Sequence, residues 1–256
     1  KESSMNTETR DVPIYGIHAV EALISTRKND IEHIYFDKDR KNQTLFNLLK
    51  KCRKERLCYN LVPEVKINSL AGTMKHQGVV AFCSIKPYCT VEQLQEITER
   101  KRSPVLLIAA SIEDPGNLGA IIRSSVCFGI DALLLERKNT VPLNAAVAKS
   151  SAGMLEHLCI VKPRNLEGLI GEYARKGFTI AGAVMEDGTV PTEANLSGPT
   201  ILITGGEHRG IPPYLQKQCS QFVSIPMAPE AQSLNASTAA AVLIYECMRQ
   251  RNFQRQ

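Results

Sequence analysis

Nothing in this sequence is long and apolar enough to cross a bilayer. Its longest nearly unbroken apolar runs, residues 105–110 and 239–245, fall far short of the roughly 18 residues a spanning helix needs. The polar opening KESSMNTETRDV lacks the apolar centre of a secretion signal. The expectation is therefore a cytoplasmic protein, with Met5 a candidate start. None of the eight cysteines forms a C-x-x-C pair, and no histidine follows one at zinc-ligand spacing. This excludes the common zinc modules, and the thiols read as reduced and buried. There is no G-x-G-x-x-G, no G-x-x-x-x-G-K-[ST], no G-x-S-x-G and no H-E-x-x-H. A standard dinucleotide fingerprint, a triphosphate loop, a nucleophile elbow and a zinc protease are excluded with them. No internal repeat occurs.

What is present is an ordinary globular composition, 43% apolar and 22% charged over 256 residues, enough for a small domain and a medium one. Lysine and arginine number 31 against 26 acidic residues, and that excess is concentrated. Residues 38–56 hold eight bases (Lys38, Arg40, Lys41, Lys50, Lys51, Arg53, Lys54, Arg56) against Asp39 and Glu55. Such a run is either a solvated helix face or a patch that binds phosphates.

The patterns divide the chain. Residues 12–86 read as a small α/β domain: GIHAVEALIS and NQTLFNLLKKCRKE repeat at helical spacing, while IEHIYF, LCYNLV and GVVAFCSI read as strands. Residues 87–103, polar and closed by Pro104, read as a partly helical linker. From 104 to 252 strands and helices alternate: PVLLIAA, NLGAIIRSSVCFG, ALLLE, AAVAKSSAGM, LCIV, NLEGLIGEYARKG, FTIAGAV, TILITG, PPYLQKQC, FVSIP and NASTAAAVLIYECMRQR. That alternation predicts a parallel sheet covered by helices, with ligands at the carboxyl ends of its strands.

Three segments of this second domain carry more polar residues and glycines than scaffolding needs. EDPGNLGAIIRSS follows a buried strand and places Asn117 and Arg123 on a helix. TGGEHRGIP sets Gly205, Gly206 and Gly210 around Glu207. SIPMAPEAQSLNASTAAAVLIYE opens a helix of small residues with Ser233 and Asn235. Each alone is also explained by a helix cap, a snorkelling arginine or a tight turn.

Together the three resemble the sequence motifs of the SpoU branch of S-adenosylmethionine-dependent RNA 2′-O-methyltransferases. They stand here in the family's order as DPGNLGAIIR, GGEHRG and IPM…SLNAS. YGIHAVEALI and HQGVVAF resemble the RNA-binding domain of bacterial members that methylate a guanosine of large-subunit ribosomal RNA. The resemblance implies a parallel-sheet catalytic domain with a C-terminal trefoil knot, a topology that pattern reasoning excludes by default. It further implies an obligate homodimer, ribosomal RNA as partner, and no metal. The cofactor, S-adenosylmethionine, would be held by Gly205, Ile225 and Leu234, with Met227, Glu207 and Gly210 lining the loops. Catalysis would fall to Asn117, Arg123, Glu207, Ser233 and Asn235, with Glu207 orienting Arg123. One departure stands out: many members have Asn-Glu-Gly where this chain reads Gly206-Glu207-His208, which bears on RNA contacts made by His208 and Arg209. Competing readings are a transfer RNA methyltransferase, a methyltransferase conferring antibiotic resistance, a non-catalytic RNA-binding relative, and a nicotinamide-dependent oxidoreductase lacking its usual glycines.

Overall fold

The computed structural model describes residues 13–207 and 209–253. The opening segment with Met5, and His208, lie outside the described residues. The chain divides into two compact units, residues 1–87 with 142–145, and residues 88–141 with 146–256.

The first unit contains β1 (Ile14–Tyr15), α1 (Ile17–Thr26), β2 (Ile31–Asp37), α2 (Gln43–Lys54), β3 (Tyr59–Val62), α3 (Glu64–Ala71) and β4 (Val79–Cys83). Its sheet runs β1-β4-β2-β3; β2 and β3 are parallel, and β4 is antiparallel to both its neighbours. Asn42 starts α2 by accepting the Thr44 and Leu45 amides, which offsets donors a helix start otherwise leaves unpaired. Leu45, Leu48 and Cys52 recur at helical spacing and are buried, so the basic residues between them face outward. Lys51, Arg53 and Lys54 occupy the last turn, where the helix dipole favours cations.

The second unit contains α4 (Val91–Glu99), β5 (Val105–Ala109), α5 (Pro115–Phe128), β6 (Ala132–Leu135), α6 (Ala145–Ser150), a 3₁₀ turn (Met154–His157), β7 (Cys159–Val161), α7 (Leu166–Arg175), β8 (Thr179–Val184), β9 (Thr200–Thr204), α8 (Pro213–Gln216), β10 (Gln221–Ser224) and α9 (Ala236–Gln250). Six strands pair in the order β10-β8-β9-β5-β6-β7, all in parallel. Every residue of β5, β6 and β9 is buried, as expected of central strands covered on both faces.

The segment read as a linker holds α4. Thr90 and Gln93 form a reciprocal capping box at its start, and Leu94 packs into the same core as Leu106, Ile170 and Ile201. The stretch AAVAKSSAGM is helical only as far as Ser150. Ala152 and Gly153 then take positive φ, 51° and 82°, and break the helix before the 3₁₀ turn.

The strand order places the switch point of the sheet between β5 and β9. From β5 the chain works outward through β6 and β7; it then crosses to β8, returns to β9, and leaves again for β10. In such sheets the crevice at the carboxyl ends of the two central strands takes the ligand. After β10 the chain comes back across this edge to α9, which packs against α5 and β9. The far end of α9 is anchored: the Gln250 side chain donates to the Pro191 and Ala194 carbonyls and accepts the Leu196 amide, and Arg251 donates to the Leu196 and Gly198 carbonyls.

Among the described residues, no helix is long and apolar enough to cross a membrane, and no group of three His, Cys, Asp or Glu side chains is arranged to hold a metal ion. The cysteines are all free. Burial pushes the Cys52 thiol up to about 12 and the Cys247 thiol to about 11, which keeps both protonated and unreactive. Cys127, within the apolar stretch SSVCFGI, is exposed on α5 rather than buried.

Candidate active site

Three elements deliver polar side chains to one point. Asp114 caps α5, accepting the Asn117 amide at 2.7 Å, and Pro115 occupies the first turn, where a missing N–H costs nothing. This fixes Asn117 at the start of α5. Asn235 caps α9: its Oδ1 accepts the Ser237 and Thr238 amides at 2.9 and 3.3 Å. Its remaining amide group is free to reach across. Nδ2 of Asn235 donates to Asn117 Oδ1 at 2.9 Å and to Glu207 Oε1 at 2.5 Å, and Asn117 Nδ2 donates to the same Glu207 oxygen at 3.2 Å. Asn117, Glu207 and Asn235, up to 118 residues apart in sequence, thus close a hydrogen-bonded triangle. An exposed ion pair, Arg209 to Glu113 at 3.7 Å, adds a weak second link between the loop and the first motif.

Glu207 is carried by a narrow loop. Gly206 and Gly210 face each other as an isolated antiparallel bridge, and the Gly210 amide donates to the Gly206 carbonyl at 2.9 Å. A Cβ on Gly205 would overlap the backbone of Gly210, and one on Gly206 would overlap the Ser111 carbonyl. The room these two glycines leave is therefore filled by the chain itself, so close approach of a ligand is not what first requires them. Gly210 differs: nothing lies within 4 Å of its missing side chain, and its φ of 58° is what calls for glycine.

Beneath the loop lies a buried carboxylate that sequence reasoning missed. Glu136, at the end of β6, is 7% exposed. It accepts the Ser111 amide at 2.6 Å, the Ser111 hydroxyl at 3.3 Å and the Tyr214 hydroxyl at 2.5 Å. Burial, then the bond to Glu136, pushes the Tyr214 hydroxyl well above its ordinary range. Ser111 sits at φ 54° directly under Gly206, so this network sets the height of the glycine loop. In the sequence Glu136 is only the last letter of ALLLE; a charge closing an apolar strand was the available signal. Glu136→Ala strands three donors, two of them on buried Ser111, and is expected to lower unfolding stability by roughly 3 kcal/mol. Glu136→Gln, which keeps an acceptor, is expected to lose less than half of that. Urea titration of the two variants measures the difference.

The other expected site residues distribute unevenly. Gly205, Ile225 and Met227 are partly buried, and Leu234 is 37% exposed. Val184 pairs with Ser224 and Gly182 with Ile203, so Gly205 stands level with Val184 and Ser224, and Met185 and Ile225 follow one residue further on. Ser233 is exposed and makes no hydrogen bond to the triangle among the described residues. Arg123 is not brought to the triangle either. It lies six residues beyond Asn117, which on a helix is about 9 Å further along and about 120° around the axis. It is exposed and, among the described residues, forms no ion pair. The expectation that Glu207 orients Arg123 is corrected: Glu207 is held by the two asparagines.

The SpoU rRNA methylase family matches residues 104–245, which include all three motifs. The chain belongs to this family. A second match, to the substrate-binding domain of RNA 2′-O ribose methyltransferases, covers residues 13–89. Among relatives, a TrmH family tRNA/rRNA methyltransferase of Staphylococcus epidermidis is 32% identical over 94% of this chain and 97% of its own length. Its counterpart in Staphylococcus haemolyticus is 30% identical over the same shares. Among solved structures, the SpoU methyltransferase AviRb of Streptomyces viridochromogenes, crystallised with AdoMet, is 25% identical. It superposes with a TM-score of 0.58 over 94% of this chain and 90% of its own. The A. aeolicus TrmH/SpoU tRNA modifying enzyme is 26% identical, with a TM-score of 0.53 over 63% of this chain and 82% of its own. This SpoU protein is thus an RNA 2′-O-ribose methyltransferase, and the triangle ties together the three motifs that mark the family in its sequence.

Proposed function

We propose that this enzyme methylates a ribose 2′-hydroxyl of ribosomal RNA, with a guanosine of the large-subunit RNA as target and S-adenosylmethionine as methyl donor. The observation that carries the reading is the Asn117–Glu207–Asn235 triangle, because it draws the three motifs into one site at the switch point of the sheet. The substrate-binding match at residues 13–89 supports ribosomal over transfer RNA. The tRNA modifying enzyme named above aligns with only 63% of this chain.

The carboxyl edge of β8, β9 and β10 fits the cofactor. Met185 is 58% and Leu234 37% exposed, and Ile225 and Met227 are partly so. These apolar side chains border loops whose backbone groups supply polar contacts, a combination typical of small-molecule sites. The cofactor brings an electrophilic methyl carbon bonded to sulfur. Asn117 and Asn235 fix the loops in register around the reacting 2′-oxygen, an alignment that lowers the entropic part of the barrier. Glu207, whose Oε1 takes both asparagine amides, positions the loop rather than accepting the proton. Arg123 stays protonated at any working pH, so its part is electrostatic: it stabilises the developing alkoxide or the neighbouring phosphate. Ser233 and Gly210 line the approach to the edge.

Because Arg123 faces away from the triangle of its own chain, the reading places it at a subunit interface. A separate apolar surface on α9 and the end of α5 supports a subunit interface. Val242 and Tyr245 on α9 are 40% and 47% exposed. Tyr245 makes ring contacts with Phe128 at 5.7 Å and Phe253 at 5.4 Å, which extends an apolar patch from α9 to α5. Such a patch marks an interaction site, and two-fold pairing is its commonest closed solution. Tyr245→Glu is expected to halve the mass seen by sedimentation and to abolish methyl transfer. An active variant of unchanged mass would remove the dimer from the account. The same return of the chain from β10 to α9, with the anchored 191–198 segment around its end, is where the trefoil knot of this reading lies.

The function is tested by offering the enzyme methyl-labelled S-adenosylmethionine with large-subunit RNA, small-subunit RNA and transfer RNA in parallel. Label in large-subunit RNA alone is expected; label in transfer RNA alone would replace the substrate assignment.

A further inference from the structure

The basic cluster of the first unit is not uniform. Some of its members are already engaged within the fold. Arg53 donates to the Tyr59 hydroxyl at 2.9 Å, Lys51 to Ser25 at 3.2 Å, and Glu55 takes Lys28 at 3.0 Å. Lys38, Arg40 and Lys41 are different. Among the described residues none of them forms an ion pair, and all three line one cavity of about 490 Å³ between the end of β2, the start of α2 and β3. That volume falls within the range of small-ligand sites, about 300–1,000 Å³.

The cavity is apolar inside. Phe36 is fully buried, while Phe46 and Leu61 are each 49% exposed. Half-exposed side chains of this size on one concave surface are costly unless something covers them. The carboxylate in the lining, Asp37, is buried and turned to its own backbone, accepting the Asp39 amide at 3.0 Å. Lys50 Nζ lies over the Phe46 ring, 4.7 Å from its centre, so one face of the ring is already covered and a base has the other. Gly78 leaves space for the Arg40 stem, since a Cβ there would lie 2.6 Å from Arg40 Cδ.

We infer that this cavity is a nucleotide subsite, in which one unpaired RNA base stacks on Phe46 against Leu61 while Lys38, Arg40 and Lys41 hold its flanking phosphates. Unpaired bases splayed onto aromatic side chains are the usual way proteins read RNA sequence, and cations around an apolar slot are what separates an RNA site from a peptide groove. The inference rests on the RNA methyltransferase reading and deepens it, by naming the part of the RNA that the first unit takes.

The test uses the full chain and two fluorescent probes of equal charge, a single-stranded oligoadenylate decamer and an abasic ribose-phosphate decamer. The wild type is expected to bind the oligoadenylate about tenfold tighter, the scale of one base stacked on an aromatic ring. Phe46→Ala should erase that preference while leaving affinity for the abasic probe unchanged, and Phe46→Trp should restore it. Lys38→Gln with Lys41→Gln should weaken both probes and flatten the slope of log affinity against log salt by roughly 0.7 for each phosphate no longer neutralised. Equal binding of both probes by the wild type would overturn the subsite. So would a Phe46→Ala variant that keeps the preference, or that weakens both probes alike. Methyl transfer to ribosomal RNA, measured on the same preparations, separates this failure from failure of the enzymatic reading: active enzyme with no base preference refutes the subsite alone.

Discussion

Arg123→Ala is expected to cut methyl transfer at least about a hundredfold, the cost, on its proposed role, of removing a group that stabilises charge only as it develops. Binding of S-adenosylmethionine should barely change, because Arg123 is not among the residues proposed to hold the cofactor. An interaction made only in the transition state lowers turnover and leaves ground-state affinity in place. The variant should fold normally, since the side chain is exposed and unpaired among the described residues. Lysine is a poor substitute: it keeps the charge but loses the planar fork that engages phosphate oxygens in pairs, so Arg123→Lys should recover only part of the loss. Single-turnover rates together with calorimetric cofactor binding check both halves. A variant with near-normal turnover would take Arg123 out of the chemistry.

Gly205→Ala should be nearly as damaging, by a different route. One methyl group there meets the backbone of Gly210, and backbone cannot rotate aside as a side chain can. Either the loop opens or β9 shifts, and overpacking of this kind costs about 1–3 kcal/mol, occasionally more. Opening the loop carries Glu207 away from Asn117 and Asn235, so the expected result is loss of cofactor binding by more than about tenfold as well as reduced stability. Gly210→Ala is the control. It meets no atom and bears only the left-handed backbone cost, about 1–2 kcal/mol, so its cofactor affinity should stay within a few-fold of wild type. If the two variants behave alike, the packing account of the loop is wrong.

Much of this architecture was legible in the sequence, because period and composition report burial. The all-apolar runs at 105–110 and 201–203 became central strands, and Asn117, Glu207 and Asn235 could be singled out because caps and glycines flank them. What stayed hidden follows from the same physics. Helix α4 buries only Leu94 and Thr98, and so thin an apolar stripe in a polar stretch resembles a linker; the Thr90–Gln93 box was its readable sign. Helix α3 likewise buries just Ile67 and Ala71. Glu136 offered no sign beyond the charge that closes ALLLE, because its partners, Ser111 and Tyr214, come from segments 25 and 78 residues away. Arg123 does not join the triangle because a motif reports which residues belong together in function, whereas the helical angle between positions 117 and 123 decides which of them meet within one chain.

The central claim is that three separated motifs build one site for ribose 2′-O-methylation. Its most direct test is the nucleoside content of large-subunit RNA after incubation with the enzyme and labelled S-adenosylmethionine. A 2′-O-methyl group blocks alkaline cleavage at its own phosphodiester, so the account predicts label in a single alkali-resistant dinucleotide, with the methyl group on a guanosine ribose. It also predicts that Asn235→Ala, which removes one corner of the triangle, abolishes that product. Label recovered in ordinary mononucleotides, with the methyl group on the base, would contradict it.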